Sequence, residues 1–112
     1  MRPQRPFELH ERPRDGCVCL QVTGELDLAT APRLEERLGQ LRAENRPVRV
    51  DLSVLEFMDS TGLHVLIDAA NKGRGWQFEV ERDLSPQVRR LFQVMGVEHF
   101  ILGDYRAAVS CS

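Results

Sequence analysis

Residues Phe57–Ile67 read FMDSTGLHVLI, a carboxylate, two hydroxyls and a glycine set just ahead of a helical stripe. Ser60 as a nucleophile is one chemistry to weigh. A nucleophile elbow needs glycine two residues before and two after the serine; Gly62 follows, but Met58 precedes, and no histidine is well placed as base. Phosphate cradling fails as well, because neither a Walker A loop nor a dinucleotide fingerprint occurs. His10, His64 and His99 lack metal-binding spacing, and His64 with Asp68 four residues on reads as a surface helix pair. What remains is a hydroxyl at a helix start. Ser60 or Asp59 as an N-cap, worth ~1 kcal/mol, is one reading. An accessible modification site is the other. Gly62 favours the second: it costs a helix ~1 kcal/mol relative to alanine, and it leaves clearance beside Ser60 for another protein.

Charge extends that argument. Between Val50 and Asn71 there is no Lys or Arg, yet Asp51, Glu56, Asp59 and Asp68 fall there, and Glu25 and Asp27 end the preceding strand. Acids near helix starts complement the dipole, which accounts for Asp59 but not for Asp27. A phosphate on Ser60 would add about −1.5 to −2 charge to this acidic neighbourhood, with no arginine nearby in sequence to dock it. It is therefore expected to spoil a contact rather than remodel the fold.

Several elements must position these residues. Residues 1–6 read as a disordered arm, and residues 7–112 as one domain. Phe7–Arg12 and Cys17–Thr23 read as strands around an Asp-Gly turn. Thr30 caps a helix whose stripe is Ala31, Leu34, Leu38 and Leu41, ending near Ala43. Val48–Leu52 alternates as a strand, the helix after Asp59 runs to about Asn71, and Trp76–Glu81 alternates again. Ser85 and Pro86 open a helix that Gly96 closes. Val97–Leu102 reads as a short strand and Asp104–Val109 as the start of a helix. The pattern is α/β: a single domain with a mixed sheet of four to five strands and three to four helices packed on it.

Composition narrows the classes. The chain has 112 residues, 42% hydrophobic and 29% charged, with 15 basic against 17 acidic side chains and a net charge of −2. That balance gives no electrostatic reason to expect nucleic acid. No stretch approaches the ~20 apolar residues of a membrane span, and no signal core opens the chain. Cys17, Cys19 and Cys111 lack CxxC spacing and are read as reduced thiols of a cytoplasmic protein. Neither a cofactor nor a metal is called for.

VTGELDLATAP (Val22–Pro32), VRVDLSVLEFMDSTGLHVLI (Val48–Ile67) and SPQVRRLFQVMGVEHFI (Ser85–Ile101), in that order, resemble the STAS domain, and more closely the stand-alone anti-sigma factor antagonists of bacteria. The resemblance implies a STAS-like fold and a non-enzymatic switch in transcription regulation. In the unphosphorylated state such a protein binds an anti-sigma factor that is also a serine kinase of the GHKL ATPase type, and sigma is released. Phosphorylation of the serine after the aspartate, here Ser60, blocks binding, and a PP2C-type phosphatase restores it. The resemblance places the second hydroxyl at Thr61 and the acidic loop residue at Asp27. The expected partner-binding set is thus Asp27, Asp59, Ser60, Thr61, Gly62 and His64. His64 is a departure, since relatives commonly carry a small residue there. The alternative is a constitutive scaffold in a larger complex, stressosome-like or a lipid-transport ATPase, with Ser60 serving only as a cap.

Overall fold

The computed structural model describes residues 5–14, 16–72 and 75–98. Within them the order is β1 (Glu8–Arg14), β2 (Cys17–Leu26), α1 (Ala31–Ala43), β3 (Val48–Asp51), β4 (Leu55–Met58), α2 (Ser60–Asn71), β5 (Phe78–Val80) and α3 (Pro86–Met95). β2 is the axis of the sheet. It pairs antiparallel with β1 and parallel with β3 and β4, while β3 pairs parallel with β5. This is the mixed α/β sheet that the alternation of strand and helix patterns predicts.

The core follows from periodicity. Val18, Leu20 and Val22 of β2 and Val48 and Val50 of β3 are fully buried on one face of the sheet. α1 buries Ala31, Leu34, Leu38 and Leu41; α2, packed beside it, buries Leu63, Val65, Leu66 and Ala69. α3 packs against β4 and buries Val88 and Phe92. Each fully buried leucine or phenylalanine removes enough apolar surface from water to contribute roughly 1.5–3 kcal/mol. Trp76 is buried too, its indole N–H donating to the Arg46 carbonyl at 2.7 Å.

Several boundaries differ from the sequence reading. The strand expected to run through Leu52 ends at Asp51, whose carboxylate accepts the Ser53 N–H at 2.8 Å and turns the chain. The four residues after that turn form β4, which the pattern did not announce: Phe57 is exposed, so only Leu55 and Met58 mark a core face. α3 starts at Pro86 and stops at Gly96, φ 66°, as expected, but the Ser85 hydroxyl makes no capping bond and is buried. Thr30 holds the N-cap position of α1 without a side-chain cap bond of its own. Cys19 forms no disulfide, whereas Cys17 is disulfide-bonded, which corrects the expectation of a reduced thiol at Cys17. Residues two apart on a strand share a face and do not bridge, so spacing alone could not reveal that pairing. Of the expected strand over Val97–Leu102 only Val97 and Glu98 are described, neither in a strand, and Asp104–Val109 lies outside the described residues. So do residues 1–4 of the expected arm.

The sheet face away from the leucine core carries charge. Arg49 on β3 lies 3.4 Å from Glu79 and 3.7 Å from Glu81. The Glu81 carboxyl is pushed above its ordinary value, first by burial, then by Asp51, with Asp83 and Glu79 adding and Arg49 opposing. A carboxyl whose pKa is higher folded than unfolded favours the native state while protonated, and that advantage is lost as pH rises through the folded value. Glu81→Gln is therefore expected to raise the thermal midpoint at pH 7, with the gain shrinking as pH is lowered to 4. Calorimetry at both pH values checks it.

Candidate functional site

β2 and β4 run parallel and end side by side, with Leu26 registered against Met58. At the carboxyl ends of parallel strands the backbone turns into helices or loops, and ligand-facing groups gather there. Two aspartates leave this rim, Asp27 from β2 and Asp59 from β4.

Asp59 performs the capping. It is extended (φ −102°, ψ −175°), its N–H donates to the Leu26 carbonyl at 3.1 Å, and its carboxylate accepts the Gly62 N–H at 3.0 Å. A short acidic side chain in extended geometry satisfies one of the donors that open a helix. Ser60 is then the first helical residue. It is exposed, and its hydroxyl makes no hydrogen bond among the described residues. Of the two capping candidates, Asp59 has the role and Ser60 does not. Thr61 is half-buried. His64 and Asp68 follow Ser60 at four-residue steps on the exposed face of α2, with no ion pair between them among the described residues.

One expectation about this rim needs correction, and one residue has a further task. Gly62 was expected to clear space for another protein; it is buried, and a Cβ there would stand 2.7 Å from Leu26 Cγ and 2.9 Å from the Leu26 carbonyl oxygen. The missing side chain makes room for β2, not for a visitor. Asp27 also has a structural task. Its carboxylate accepts the N–H of Ala29 (3.0 Å) and Thr30 (3.2 Å), while the Thr30 hydroxyl accepts the Asp27 N–H (2.9 Å) and donates to the Glu25 carbonyl (2.7 Å). These bonds hold the turn that leads into α1, an Asx-type arrangement.

Sequence reasoning passed over two residues at this rim. Leu28, one beyond Asp27, is 75% exposed, and Phe57, registered against Glu25, is 46% exposed. A lone exposed apolar residue is ordinary, so only the structure, by showing both exposed near the ends of β2 and β4, gives them weight. Among the described residues no group of three or more His, Cys, Asp and Glu is arranged to hold a metal, and no helix is long and apolar enough to cross a membrane.

This arrangement has relatives. The family model described as Mlab, STAS domain matches residues 9–103. An anti-sigma-B factor antagonist of Listeria monocytogenes is 38% identical over 97 residues, covering 85% of this chain and 84% of that protein. An anti-sigma-F factor antagonist of Mycobacterium tuberculosis is 38% identical over 86 residues, covering 75% of this chain and 70% of that protein. The crystal structure of an anti-sigma factor antagonist from Mycobacterium paratuberculosis superposes with a TM-score of 0.76 at 30% identity, covering 90% of this chain and 89% of that one.

The division of labour at the helix start is open to direct test. Asp59→Ala should destabilise by about 1 kcal/mol, the weight of an N-cap. Ser60→Ala should stay within about 0.5 kcal/mol of the parent, as an exposed surface change does. Urea unfolding of the two variants decides it, and equal losses would return the cap to Ser60.

Proposed function

The chain belongs to the STAS domain family, and from that footing we propose that it is an anti-sigma factor antagonist switched by phosphorylation of Ser60. One observation carries the reading: the Ser60 hydroxyl stands exposed at a helix start with no hydrogen bond among the described residues, because Asp59 does the capping. Unmodified, the protein binds an anti-sigma factor that is itself a serine kinase of the GHKL ATPase type, and sigma is freed. The kinase moves the terminal phosphoryl group of ATP onto Ser60 Oγ, and ADP leaves. A PP2C-type phosphatase hydrolyses the ester and restores the binding form. The protein catalyses nothing itself, takes no cofactor and acts in the cytoplasm without contacting nucleic acid.

The contact surface is the rim around Ser60. Thr61 and His64 extend it along α2. Asp59 and Gly62 contribute by fixing the helix start, and Asp27 by holding the turn that presents Leu28. Leu28 and Phe57 offer apolar area next to the acids, the mix of buried anchor and polar rim that transient contacts use. A phosphate arriving here meets Asp59 at once and finds no Lys or Arg between Val50 and Asn71. A charge buried uncompensated in the contact costs several kcal/mol.

Phosphorylation mapping tests this. The protein and its Ser60→Ala variant are incubated with Mg-ATP and soluble extract of the source organism, then digested and analysed by mass spectrometry. A single phosphoryl group on Ser60, absent from the variant, is the expected result. An unmodified Ser60, in an extract shown to phosphorylate a related antagonist, would leave a constitutive binding module instead.

A further inference from the structure

Among the described residues, Arg5, Pro6 and Phe7 ahead of β1 are tied to the rest of the molecule by four contacts. The Pro6 carbonyl accepts the Thr23 hydroxyl at 3.3 Å. The Phe7 ring lies 4.9 Å beneath the Arg33 guanidinium of α1, within cation–π reach. Phe7 also packs on the hydrophobic core. The Arg5 N–H donates to Glu56 Oε1 at 3.0 Å.

β1 pairs with one edge of β2, and Glu56 belongs to β4, a different neighbour of that strand. To reach Glu56 the chain passes over β2 at Gly24. There a Cβ would lie 2.7 Å from both Phe7 Cα and Phe7 N, and 2.8 Å from the Pro6 carbonyl carbon. Those are backbone atoms, which cannot swing aside as a side chain does. Gly24 also has φ +83° and precedes the register shift between β2 and β4. Both the crossing and the bulge therefore require glycine at this position.

β4 has four residues and pairs with three of β2, Gly24, Glu25 and Leu26. It leads directly into Asp59 and Ser60. A strand so short, joined to its neighbour through a bulge, holds few ladder bonds of its own.

We infer that Arg5–Phe7 form a strap over Gly24 that fastens Glu56 and so positions the junction of β4 and α2 carrying Ser60. The assignment of a role in modification rests on Ser60 being the acceptor; the mechanical part does not. Glu56 is a positioning residue in this sense, acting through β4.

Hydrogen exchange on the full-length protein reads the strap directly. The Asp59 amide, bonded to the Leu26 carbonyl, and the Gly62 amide, bonded to the Asp59 carboxylate, report the junction. In Glu56→Ala both should exchange about fivefold faster, the weight of one net hydrogen bond, with the amides of α1 and α3 unchanged. Glu56→Gln keeps an acceptor oxygen and should restore the parent rates. Gly24→Ala should loosen the same two amides; where it fails to fold, the Glu56 pair alone decides. Unchanged junction amides in Glu56→Ala, a uniform rise over the whole chain, or a Gln variant as loose as the Ala variant would overturn the strap. None of these outcomes depends on whether Ser60 is modified, so failure here is separate from failure of the phosphorylation mapping.

Discussion

The seating of α2 on β2 turns on one crowded contact, Gly62 against Leu26. Any larger residue at Gly62 would drive a Cβ to within 2.9 Å of the Leu26 carbonyl oxygen and 2.7 Å of its side chain. With hydrogen there instead, the helix start comes close enough for the Asp59 N–H to reach that same carbonyl and for the Asp59 carboxylate to cap Gly62. The glycine's poor helical propensity, about 1 kcal/mol against alanine, is the cost of that approach. Capping by Asp59 then leaves Ser60 without a capping role. The exposure of its hydroxyl follows from packing two residues away.

The acids of this region look like a reservoir of repulsion when read along the chain, but most of them have backbone partners. Asp27 accepts from Ala29 and Thr30, Asp51 from Ser53, Asp59 from Gly62 and Glu56 from Arg5. Hydrogen bonds from N–H groups stabilise a carboxylate in place and fix its direction. The rim is thus acidic and stiff together. Its negative groups cannot easily turn away from a newcomer, because moving one would uncap a turn or a helix.

Much of this could be read from residue types. The stripes Leu34–Leu38–Leu41 and Leu63–Leu66 gave both helix positions, Gly96 gave the end of α3, and the odd conjunction of Asp59, Ser60, Thr61 and Gly62 gave the place where chemistry concentrates. What could not be read depended on atoms far apart in sequence. β4 escaped notice because four residues with an exposed Phe57 carry too little alternation to separate from a loop. The true use of Gly62 depended on Leu26, thirty-six positions earlier, and that of Gly24 on Phe7. A glycine states that space or a positive φ is needed; it does not say for which neighbour. The structural task of Asp27 was hidden for a related reason. Its bonds are local, but an aspartate four residues before a helix has several ways to serve, and only geometry shows that Thr30 answers it.

Stiffness decides how a charge added at Ser60 would act. A phosphate can change a protein by drawing a segment toward arginines or by refusing burial in a contact. The first route needs a cation within reach and a segment free to move. Here the stretch Val50–Asn71 contains no Lys or Arg of its own, and the rim's acids are held by backbone N–H groups at Asp27, Asp59 and Glu56, the last by Arg5. The second route needs only an unyielding surface. Moving an equilibrium from 99:1 to 1:99 takes about 5.5 kcal/mol, and an uncompensated buried charge supplies several kcal/mol toward it. A rim whose acids are held by backbone bonds has little freedom to relieve that penalty. Were Ser60 the acceptor, the same capping bond that spares its hydroxyl would also hold Asp59 in place, and the added charge would act on the contact rather than on the domain.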